Sequence, residues 1–416
     1  MAMEAVFSPD LLGNVKTLNK RVILDMIRFA PGGISRADLA RLVNLTRSAV
    51  TPIINDLLAE ELVHETEDGP TTGGRRPILL EINPHYGYLV GIDMGATHLG
   101  MVLTNFAAQV LQAMEVPYDV NLGPDVCLPQ VNTVLSDLLA RQGLSLEAVK
   151  AIGVGVPGPV VADAGMVSAP PIMPGWGGYP IRDHLQSLWG RPVVVGNDAE
   201  YGAMGEWAYG AGRGVRNLVY LKVGSGVGAG LFLEGRIYQG STGCAGEIGH
   251  ITMLDHGPLC NCGNRGCLEA LSGGYAIARK AREAVQSGRR TQLSTLTLQQ
   301  ITARDVAEAA HLGDLVAQQI VTESGMYLGI ATASLVNVFN PSLVVVGGGI
   351  SQMGDLLLEP IRKAVRERSL QPAAQAVRIT SAVLGRRSTS IGAVVQAVNL
   401  ALAKRFETNE PAGYKK

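Results

Sequence analysis

Short apolar segments that end in glycine-rich turns recur along the chain and constrain its fold more than any other feature. The segments are YLVGIDMGATHLGMVLTN (88–105), AIGVGVPGPV (151–160), PVVVGNDAE (192–200), LVYLKVGSGVGAGLFLEGRIY (218–238) and LVVVGGGI (343–350). Helices are predicted between them at 131–141, 275–287, 303–311, 314–338, 354–369 and 388–405. This alternation, with 51 glycines, predicts an α/β protein, and 416 residues suffice for two or three domains.

Composition and charge exclude several classes of protein. Hydrophobic residues make up 47% of the chain and charged residues 17%, which is typical of a globular protein and not of a disordered one. The formal net charge is −1, so no global positive field indicates nucleic-acid binding, although a local DNA-binding face remains compatible with it. The sequence has neither a signal-peptide pattern nor an apolar run of about 18 residues, so we expect a cytoplasmic protein without a membrane partner.

Three of the glycine turns together indicate a nucleotide-binding cleft. Asp93 with Gly95 and Thr97 follows the first strand, residues 224–228 form the turn of a hairpin, and residues 347–349 follow the last strand. Backbone amides without a Cβ can approach phosphates closely, and an aspartate can hold Mg²⁺ through water. Each turn alone is compatible with ordinary turn chemistry. Their combination suits a nucleotide between two lobes.

The first 83 residues carry the pattern of a winged helix-turn-helix. A predicted helix over 12–30 is followed by two shorter helices, with Ser35 and Thr46 as their N-cap residues. The strands LVHE and ILLEI flank a glycine-rich tip and form the wing. In such units the second short helix enters the major groove with its N-terminal residues. The predicted DNA contacts are Arg36, Arg47, Ser48, Thr51, Arg75 and Arg76.

A three-helix protein-interaction module is the alternative for this region. Residues 1–83 hold nine Lys or Arg residues against eleven Asp or Glu residues, a net charge of −2. The arginines nevertheless fall at helix starts and at the wing tip, where DNA phosphates would lie. Pro52 leaves a further choice open, because it either kinks the second short helix or occupies the first position of a helix that starts after Thr51.

Three of the five cysteines lie within the eight residues CNCGNRGC, at 260–267. They could be redox-active, disulfide-bonded or ligands of a metal. Stable disulfides are rare in a reducing compartment, so the cluster favours a metal site over a crosslink. Cys127 and Cys244 fit no ligand spacing and are predicted to be small core residues.

Eight motifs resemble the ROK (repressor, open reading frame, kinase) family, in the branch with an N-terminal winged helix. They are GGRRP (73–77), DMGAT (93–97), GVPGPV (155–160), ND (197–198), GSGVGAG (224–230), EIGH (247–250), CNCGNRGCLE (260–269) and VVGGGI (345–350). The resemblance covers nearly the whole chain, and the cysteine motif combined with EIGH is highly specific.

The resemblance implies an α/β protein in which a winged helix-turn-helix precedes an actin-like, sugar-kinase (ribonuclease H-like) ROK domain with two lobes. We expect the DNA-binding domain at 1–83. Lobe 1 is expected at 84–200, completed by the C-terminal helix at 388–405, and lobe 2 with the metal site at 201–387.

The resemblance also implies a structural zinc ion and a sugar between the lobes. The family's zinc ligands match His250, Cys260, Cys262 and Cys267, a four-coordinate set that leaves no position for a catalytic water. Residues that resemble the family's sugar contacts are Asn197, Asp198, Glu247, His250 and Glu269. Without the resemblance, Glu247 would be interpreted as a surface charge and His250 as a core histidine. His250 could bind zinc through one nitrogen and the sugar through the other.

In the kinases of this family, the aspartate that matches Asp198 takes the proton from the sugar hydroxyl. Mg-ATP would then be held by Asp93, Gly95, Thr97, Gly224, Ser225, Gly226 and Gly348. Three residues depart from the kinase pattern. Ala96 replaces a second glycine, His98 replaces the usual Lys or Asn, and Ile172 replaces an Asn that contacts the sugar.

By resemblance, the chain is a sugar-responsive regulator of carbohydrate uptake or catabolism genes, most often a repressor in this family. Sugar binding would carry its winged helices away from operator spacing. Paired half-sites in operator DNA require an even number of subunits, as in a homodimer or homotetramer. An ATP-dependent sugar kinase with an appended DNA-binding domain is the alternative, and a regulator that acts through protein binding alone is a third.

Overall fold

The N-terminal unit of the computed structural model is a helix-turn-helix followed by a two-stranded hairpin. The structure describes residues 15–66, 77–161, 163–168 and 170–408. The unit contains α1 (Val15–Phe29), β1 (Ile34–Ser35), α2 (Arg36–Leu42), α3 (Arg47–Ala59), β2 (Val63–Thr66) and β3 (Leu79–Ile82). Ser35 caps α2 by accepting the N–H of Asp38. β3 pairs antiparallel with β1 and with β2, so β2 and β3 form the predicted wing, whose tip lies outside the described residues.

Pro52 lies inside α3 and not at its start. The helix begins at Arg47, so the alternative in which Thr51 caps it is wrong. Thr46 accepts the N–H of Ala49 and fixes the earlier start. Pro52 lacks the N–H that would reach the carbonyl of Ser48, but both residues are exposed, so solvent can satisfy that carbonyl.

A first five-stranded sheet follows the N-terminal unit. Its part of the chain contains β4 (Tyr88–Met94), β5 (His98–Asn105), β6 (Val110–Pro117), α4 (Pro124–Ala140), β7 (Val149–Val156), β8 (Val160–Val161), β9 (Met166–Val167), α5 (Ile181–Trp189) and β10 (Val193–Asn197). The strand order is β10-β7-β4-β5-β6, and β8 pairs with β9 separately. β4, β7 and β10 run parallel, and parallel strands are buried on both faces, which explains their continuous apolar sequences.

A second five-stranded sheet lies in the rest of the chain. Its part of the chain contains α6 (Asp198–Tyr209), β11 (Leu218–Val223), β12 (Val227–Leu233), β13 (Arg236–Ile237), α7 (Leu268–Ser272), α8 (Gly274–Gln286), α9 (Ala303–His311), α10 (Leu315–Phe339), β14 (Leu343–Gly347), α11 (Asp355–Arg368), α12 (Gln371–Ala376), β15 (Arg378–Ser381) and α13 (Ser388–Thr408). The strand order is β13-β12-β11-β14-β15, with β11, β14 and β15 parallel. Side chains from α8 to α11 pack on this sheet and form one core with it.

The last helix, α13, returns to the first sheet and lies directly on its backbone. At Gly91 of β4, a Cβ atom would come within 1.9 Å of the Ser390 carbonyl oxygen. At Gly153 of β7, it would come within 2.0 Å of the Ala393 carbonyl oxygen. These two glycines permit the close approach of helix and sheet.

The hydrophobic core of the N-terminal unit is continuous with α13. Ile23 and Ile27 of α1 belong to the same buried cluster as Val394 and Val398 of α13. The cluster also includes Phe106, which follows β5. The N-terminal unit is therefore packed against the first sheet through α13 and is not tethered by a linker alone.

The six helices predicted between the apolar segments are present as α4, α8, α9, α10, α11 and α13. The sequence patterns do not predict α5, α6, α7 and α12. α10 spans 25 residues and is the longest helix of the described chain. Within the described ranges, no helix combines the length and the apolarity that crossing a membrane requires.

Candidate functional site

A cavity of about 460 Å³ lies between the two sheets. Its walls include the carboxyl ends of β4, β11 and β14, which the chain leaves through glycine turns, and that of β10, which leads directly into α6. All the residues predicted to bind sugar or nucleotide line this cavity: Asp93, Gly95, Thr97, Asn197, Asp198, Gly224, Ser225, Gly226, Glu247, His250, Glu269 and Gly348. Ala96, His98 and Ile172, which depart from the kinase pattern, line it as well. Its size is that of a small-molecule site.

Asn197 holds the start of α6 in place beside the cavity. Its side-chain oxygen accepts the N–H groups of Ala199 at 2.8 Å and Glu200 at 3.1 Å, which caps the helix. Its side-chain nitrogen donates to the carbonyl of Gly158 at 3.0 Å. Most of its hydrogen-bonding capacity is therefore used within the protein, and one remaining N–H is available for the predicted sugar contact.

Lys222 of β11 lies between two buried aspartates that the sequence assigns to the site. Its ammonium donates to Asp198 Oδ2 at 2.7 Å and lies 3.5 Å from Asp93 Oδ1. Burial opposes the charge of Lys222, but the two carboxylates raise its pKa above the ordinary value. Burial would raise the pKa of Asp93, but Lys222 and His98 lower it to about 2. Sequence reasoning missed Lys222, and the signal that could have found it is a lysine within the apolar strand LVYLKV.

His98 covers the first glycine turn. Its Nε2 lies 3.2 Å from Asp93 Oδ2, so the imidazole and the carboxylate form a pair. A Cβ atom at Gly95 would come within 2.3 Å of the His98 ring, which means that the imidazole lies against the backbone of the turn. The imidazole therefore covers the side of Gly95 on which a Cβ atom would lie.

Two carboxylates and an imidazole line the opposite side of the cavity. Nε2 of His250 lies 3.8 Å from Glu247 Oε2. Glu269 accepts the N–H of Val227 at 3.0 Å through Oε2, which ties α7 to the start of β12. Burial raises the pKa of Glu247 to about 7, and the charges of Asp198 and Glu269 act in the same direction. Sugar hydroxyls could pair with such a set of donors and acceptors.

The four predicted metal ligands form one cluster beside this wall. His250, Cys260, Cys262 and Cys267 each offer one ligand atom, and these atoms all lie within 4.8 Å of one another. Cys260 Sγ is 3.7 Å from His250 Nδ1, and Cys262 Sγ is 3.7 Å from Cys267 Sγ. A tetrahedral site with Zn–S bonds of about 2.3 Å has S···S distances of about 3.8 Å, so the cluster fits such an ion.

The two remaining cysteines differ from each other. Cys127 is buried in α4, as predicted. The prediction that Cys244 is a core residue is wrong, because its side chain is exposed in the loop before Glu247. Small residues surround it in the sequence STGCAG, which offers no apolar neighbours to bury it.

The predicted DNA contacts fall into three groups. Arg47, Ser48 and Thr51 are exposed on the N-terminal half of α3. The guanidinium of Arg36 instead donates to Glu65 Oε1 at 2.8 Å and to Asn55 Oδ1 at 3.1 Å, so it joins α2 to α3 and β2. Arg75 and Arg76 lie outside the described residues. Exposed polar side chains at the start of α3 have the position that major-groove contacts require.

The sequence profile of the ROK family matches residues 89–399, which is most of the chain. The chain belongs to the ROK family. The predicted two-lobed ROK fold is thereby confirmed. A ROK relative named xylose repressor, from Caldicellulosiruptor bescii, is 31% identical over 390 residues, which are 92% of this chain and 96% of that protein.

Solved structures of ROK proteins share the fold. One is the crystal structure of a ROK family transcriptional regulator, described as a homologue of the Escherichia coli MLC protein, with a TM-score of 0.79, 28% identity and coverage of 94% of this chain and 98% of that chain. Another is a ROK family glucokinase from Streptomyces griseus in complex with glucose and AMPPNP, with a TM-score of 0.68, 29% identity and coverage of 75% and 100%. The match to the regulator thus extends over nearly the whole chain, whereas the match to the glucokinase covers three quarters of it.

Proposed function

We propose that this ROK protein is a sugar-responsive transcriptional repressor of genes for carbohydrate uptake or catabolism. The observation that carries the proposal is the combination, in one chain, of a winged helix-turn-helix with a cavity lined by the residues predicted to bind sugar. Its similarity to a xylose repressor extends over nearly the whole chain. Operator DNA and a small sugar are therefore the proposed partners.

The proposed effector is an aldopyranose such as xylose or glucose, because one relative is named xylose repressor and a related glucokinase was solved with glucose bound. Asp198, Glu247 and Glu269 supply carboxylates, and His250 supplies an imidazole nitrogen. These groups pair with sugar hydroxyls, while Asn197 orients Asp198 by capping α6. Ile172 adds an apolar surface to the same cavity.

A structural zinc ion at His250, Cys260, Cys262 and Cys267 is the proposed metal. It would hold the loop between Glu247 and Glu269 in one conformation, because its ligands span that loop. His250 would bind zinc through Nδ1, the nitrogen nearest Cys260, and present Nε2 to the sugar. The metal would thereby orient an effector contact without taking part in any reaction.

α6 is the proposed connection between effector and DNA. It begins with Asp198 at the cavity, and Trp207 near its other end packs edge-on against Phe29, the last residue of α1, with ring centroids 5.0 Å apart. A shift of Asp198 towards a bound sugar would move α6 and with it α1. For the sugar to release DNA, it must bind more tightly to the conformation that fits DNA poorly.

A gel-shift titration of the full-length protein tests the proposed function. DNA fragments that the protein selects from a random pool are titrated with xylose and with glucose. We expect specific retention of some fragments without sugar and their release as one sugar is raised. If no fragment is retained specifically, with or without sugar, the protein is not a DNA-binding repressor.

Replacing Arg47 with alanine is expected to weaken operator binding by about tenfold to a hundredfold, because one such groove contact contributes about 1–3 kcal/mol. Arg47 is exposed at the first position of α3. Fluorescence anisotropy with a labelled operator measures the change. Arg366→Ala, at an exposed arginine in the last turn of α11, is the control and should bind normally. Normal binding by both variants would show that α3 does not contact DNA in this way.

Replacing Phe29 with alanine is expected to preserve sugar affinity but to reduce the effect of sugar on DNA affinity. The edge-on contact with Trp207 joins α6 to α1, and such an aromatic pair contributes about 0.5–1.5 kcal/mol, so the ratio of the two DNA affinities should fall by about threefold to tenfold. The ratio is measured by anisotropy with and without saturating sugar. Phe339→Ala, at the end of α10, is the matched control, and an unchanged ratio in Phe29→Ala contradicts transmission through this contact.

An ATP-dependent sugar kinase is the second candidate function. Two observations support it: Asp198, the predicted general base, lines the cavity, and a glucokinase with glucose and AMPPNP bound shares the fold. Mg-ATP would occupy the side lined by Asp93, Thr97 and the glycine turns. A coupled assay of ADP release on a sugar panel separates the two candidates. Turnover that disappears in Asp198→Asn would make the kinase the leading function.

The proposal is completed by a homodimer or homotetramer in the cytoplasm. Two operator half-sites need two recognition helices, which one chain cannot provide. Light scattering on the protein bound to operator measures the assembly. A single chain per operator would contradict this part of the proposal.

A further inference from the structure

Lys222 is held inside the cleft by three different elements of the fold. Its ammonium is 2.7 Å from Asp198 Oδ2 on α6, 3.5 Å from Asp93 Oδ1 on β4, and 3.3 Å from Thr389 Oγ1 on α13. Thr389 also donates to the carbonyl of Asp198 at 3.0 Å. Only 12% of the Lys222 side chain is exposed, so its position is determined by these partners and not by solvent.

The position of this ammonium matters because a sugar kinase would need both of these carboxylates for phosphoryl transfer, each in a different role. A divalent cation must lie between the phosphates and an aspartate, and a second carboxylate must accept the proton of the sugar hydroxyl. Mg²⁺ requires near-octahedral oxygen ligands at about 2.0–2.1 Å. An ammonium beside both carboxylates disfavours Mg²⁺ binding, because it repels the cation and occupies the space between the oxygens. Here Asp93 and Asp198 share one ammonium.

The neighbouring groups act in the same direction. His98 pairs with Oδ2 of Asp93 at 3.2 Å, while Oδ1 lies 3.5 Å from the Lys222 ammonium without a hydrogen bond. The imidazole also lies against Gly95, where a phosphate would approach the first turn. Ala96, the next residue, is buried and carries a Cβ. Together these features surround Asp93 and Gly95, where the phosphates and metal of a nucleotide would lie, with an ammonium, an imidazole and a Cβ atom.

We propose that Lys222 takes the place of a divalent cation between Asp93 and Asp198, and that its ion pair with Asp198 makes this cleft bind sugar without phosphorylating it. The proposal rests on the proposed function and deepens it, because it assigns the residue that distinguishes a sensor from a kinase. The ammonium neutralises two buried carboxylates in the absence of metal. Its charge and hydrogen bond also lower the basicity that burial gives the Asp198 carboxylate, which can still accept a hydrogen bond from a sugar hydroxyl.

The assignment is tested on the full-length protein by measuring Mn²⁺ binding with electron paramagnetic resonance. The cysteine site is first saturated with zinc, and Mn²⁺ is titrated in the presence of AMPPNP. Lys222→Met, which keeps the length of the side chain and removes its charge, is expected to bind Mn²⁺ at least about tenfold more tightly than the wild type, because a nearby positive charge is lost. Asp93→Asn in the Lys222→Met background should remove the gain. Lys222→Arg, which keeps the charge, should bind Mn²⁺ as weakly as the wild type.

Sugar-dependent ADP release is measured on the same proteins, and none is expected from the wild type. The proposal is overturned if the wild type binds Mn²⁺ with AMPPNP as tightly as Lys222→Met does, or if it releases ADP in a sugar-dependent manner. If circular dichroism shows that Lys222→Met does not fold, Lys222→Arg and the wild type still decide. Tight Mn²⁺ binding or ADP release by either protein overturns the proposal. If both proteins lack both activities, the proposal is supported. Specific DNA retention is scored separately, so a failure of the repressor function is distinguished from a failure of the Lys222 assignment.

Discussion

Cys262→Ser is expected to lose its metal and, with it, the response to sugar. A serine hydroxyl is a poor substitute for a thiolate, so a cluster of one histidine and three thiolates would lose its closed coordination. The loop that the proposed metal would order carries His250 and ends at Glu269, which accepts the N–H of Val227. Sugar affinity should fall by at least about tenfold, by analogy with the tenfold to hundredfold losses of metal affinity or activity that follow when groups orienting a metal-bound histidine are removed.

Two measurements on the same sample test this expectation. Metal content is determined by atomic absorption, and the sugar concentration that half-releases a labelled operator is determined by anisotropy. The variant should remain bound to DNA at sugar concentrations that release the wild type, because α3 lies in a different part of the fold. Cys244→Ser is the matched control, since Cys244 is exposed and outside the cluster. A variant that loses zinc but keeps the wild-type midpoint would show that the metal only stabilises the fold.

Glu206→Ala is expected to destabilise the fold strongly. Glu206 of α6 is fully buried. Its carboxylate accepts the N–H groups of Ala211, Val383 and Leu384 at 2.9, 3.1 and 2.9 Å, and the Ser388 hydroxyl at 2.8 Å. Removing it leaves the buried Ser388 hydroxyl and three partly buried N–H groups without an acceptor, which costs about 3–5 kcal/mol.

The expected consequence is a fall of the thermal midpoint on the order of 5 °C, measured by calorimetry or circular dichroism. The thermal midpoint of Glu206→Gln should fall by less, because the oxygen of the amide can still accept hydrogen bonds. Glu367→Gln, at an exposed position of α11, is the matched control and should change stability by less than about 0.5 kcal/mol. A midpoint of Glu206→Ala equal to that of the control would mean that the segment before α13 is held by other contacts.

The fold and most of the candidate site follow from local sequence features. Parallel strands are recognisable because both of their faces are buried, and the turns after them need glycine. Since the carboxyl ends of such strands meet at one edge, the residues after them are expected in one cleft, and Asp93, Asn197 and Gly348 do line one cavity. The wing and both short helices follow from caps and alternation in the same way.

The features that sequence could not provide depend on contacts between distant parts of the chain. α6 has no amphipathic pattern because its residues from Asp198 to Ala208 are all buried, and a helix buried on every side has no polar face. Arg36 has the position of a phosphate contact, but its guanidinium pairs with Glu65 of the wing, which no local pattern reveals. Lys222 is similar, because its partners belong to β4, α6 and α13.

The contact between α1 and α13 has a consequence for how a regulator and an enzyme of this family can be related by descent. A chain without the first 83 residues would lose the part of this core that α1 supplies, and Val398 and Leu402 of α13 belong to the same core. Lys20 and Arg21 also lie over the ring of Phe406, at 5.4 and 5.5 Å from its centroid. Loss of the N-terminal unit is therefore expected to require polar substitutions on the last helix, and gain of such a unit to require apolar ones.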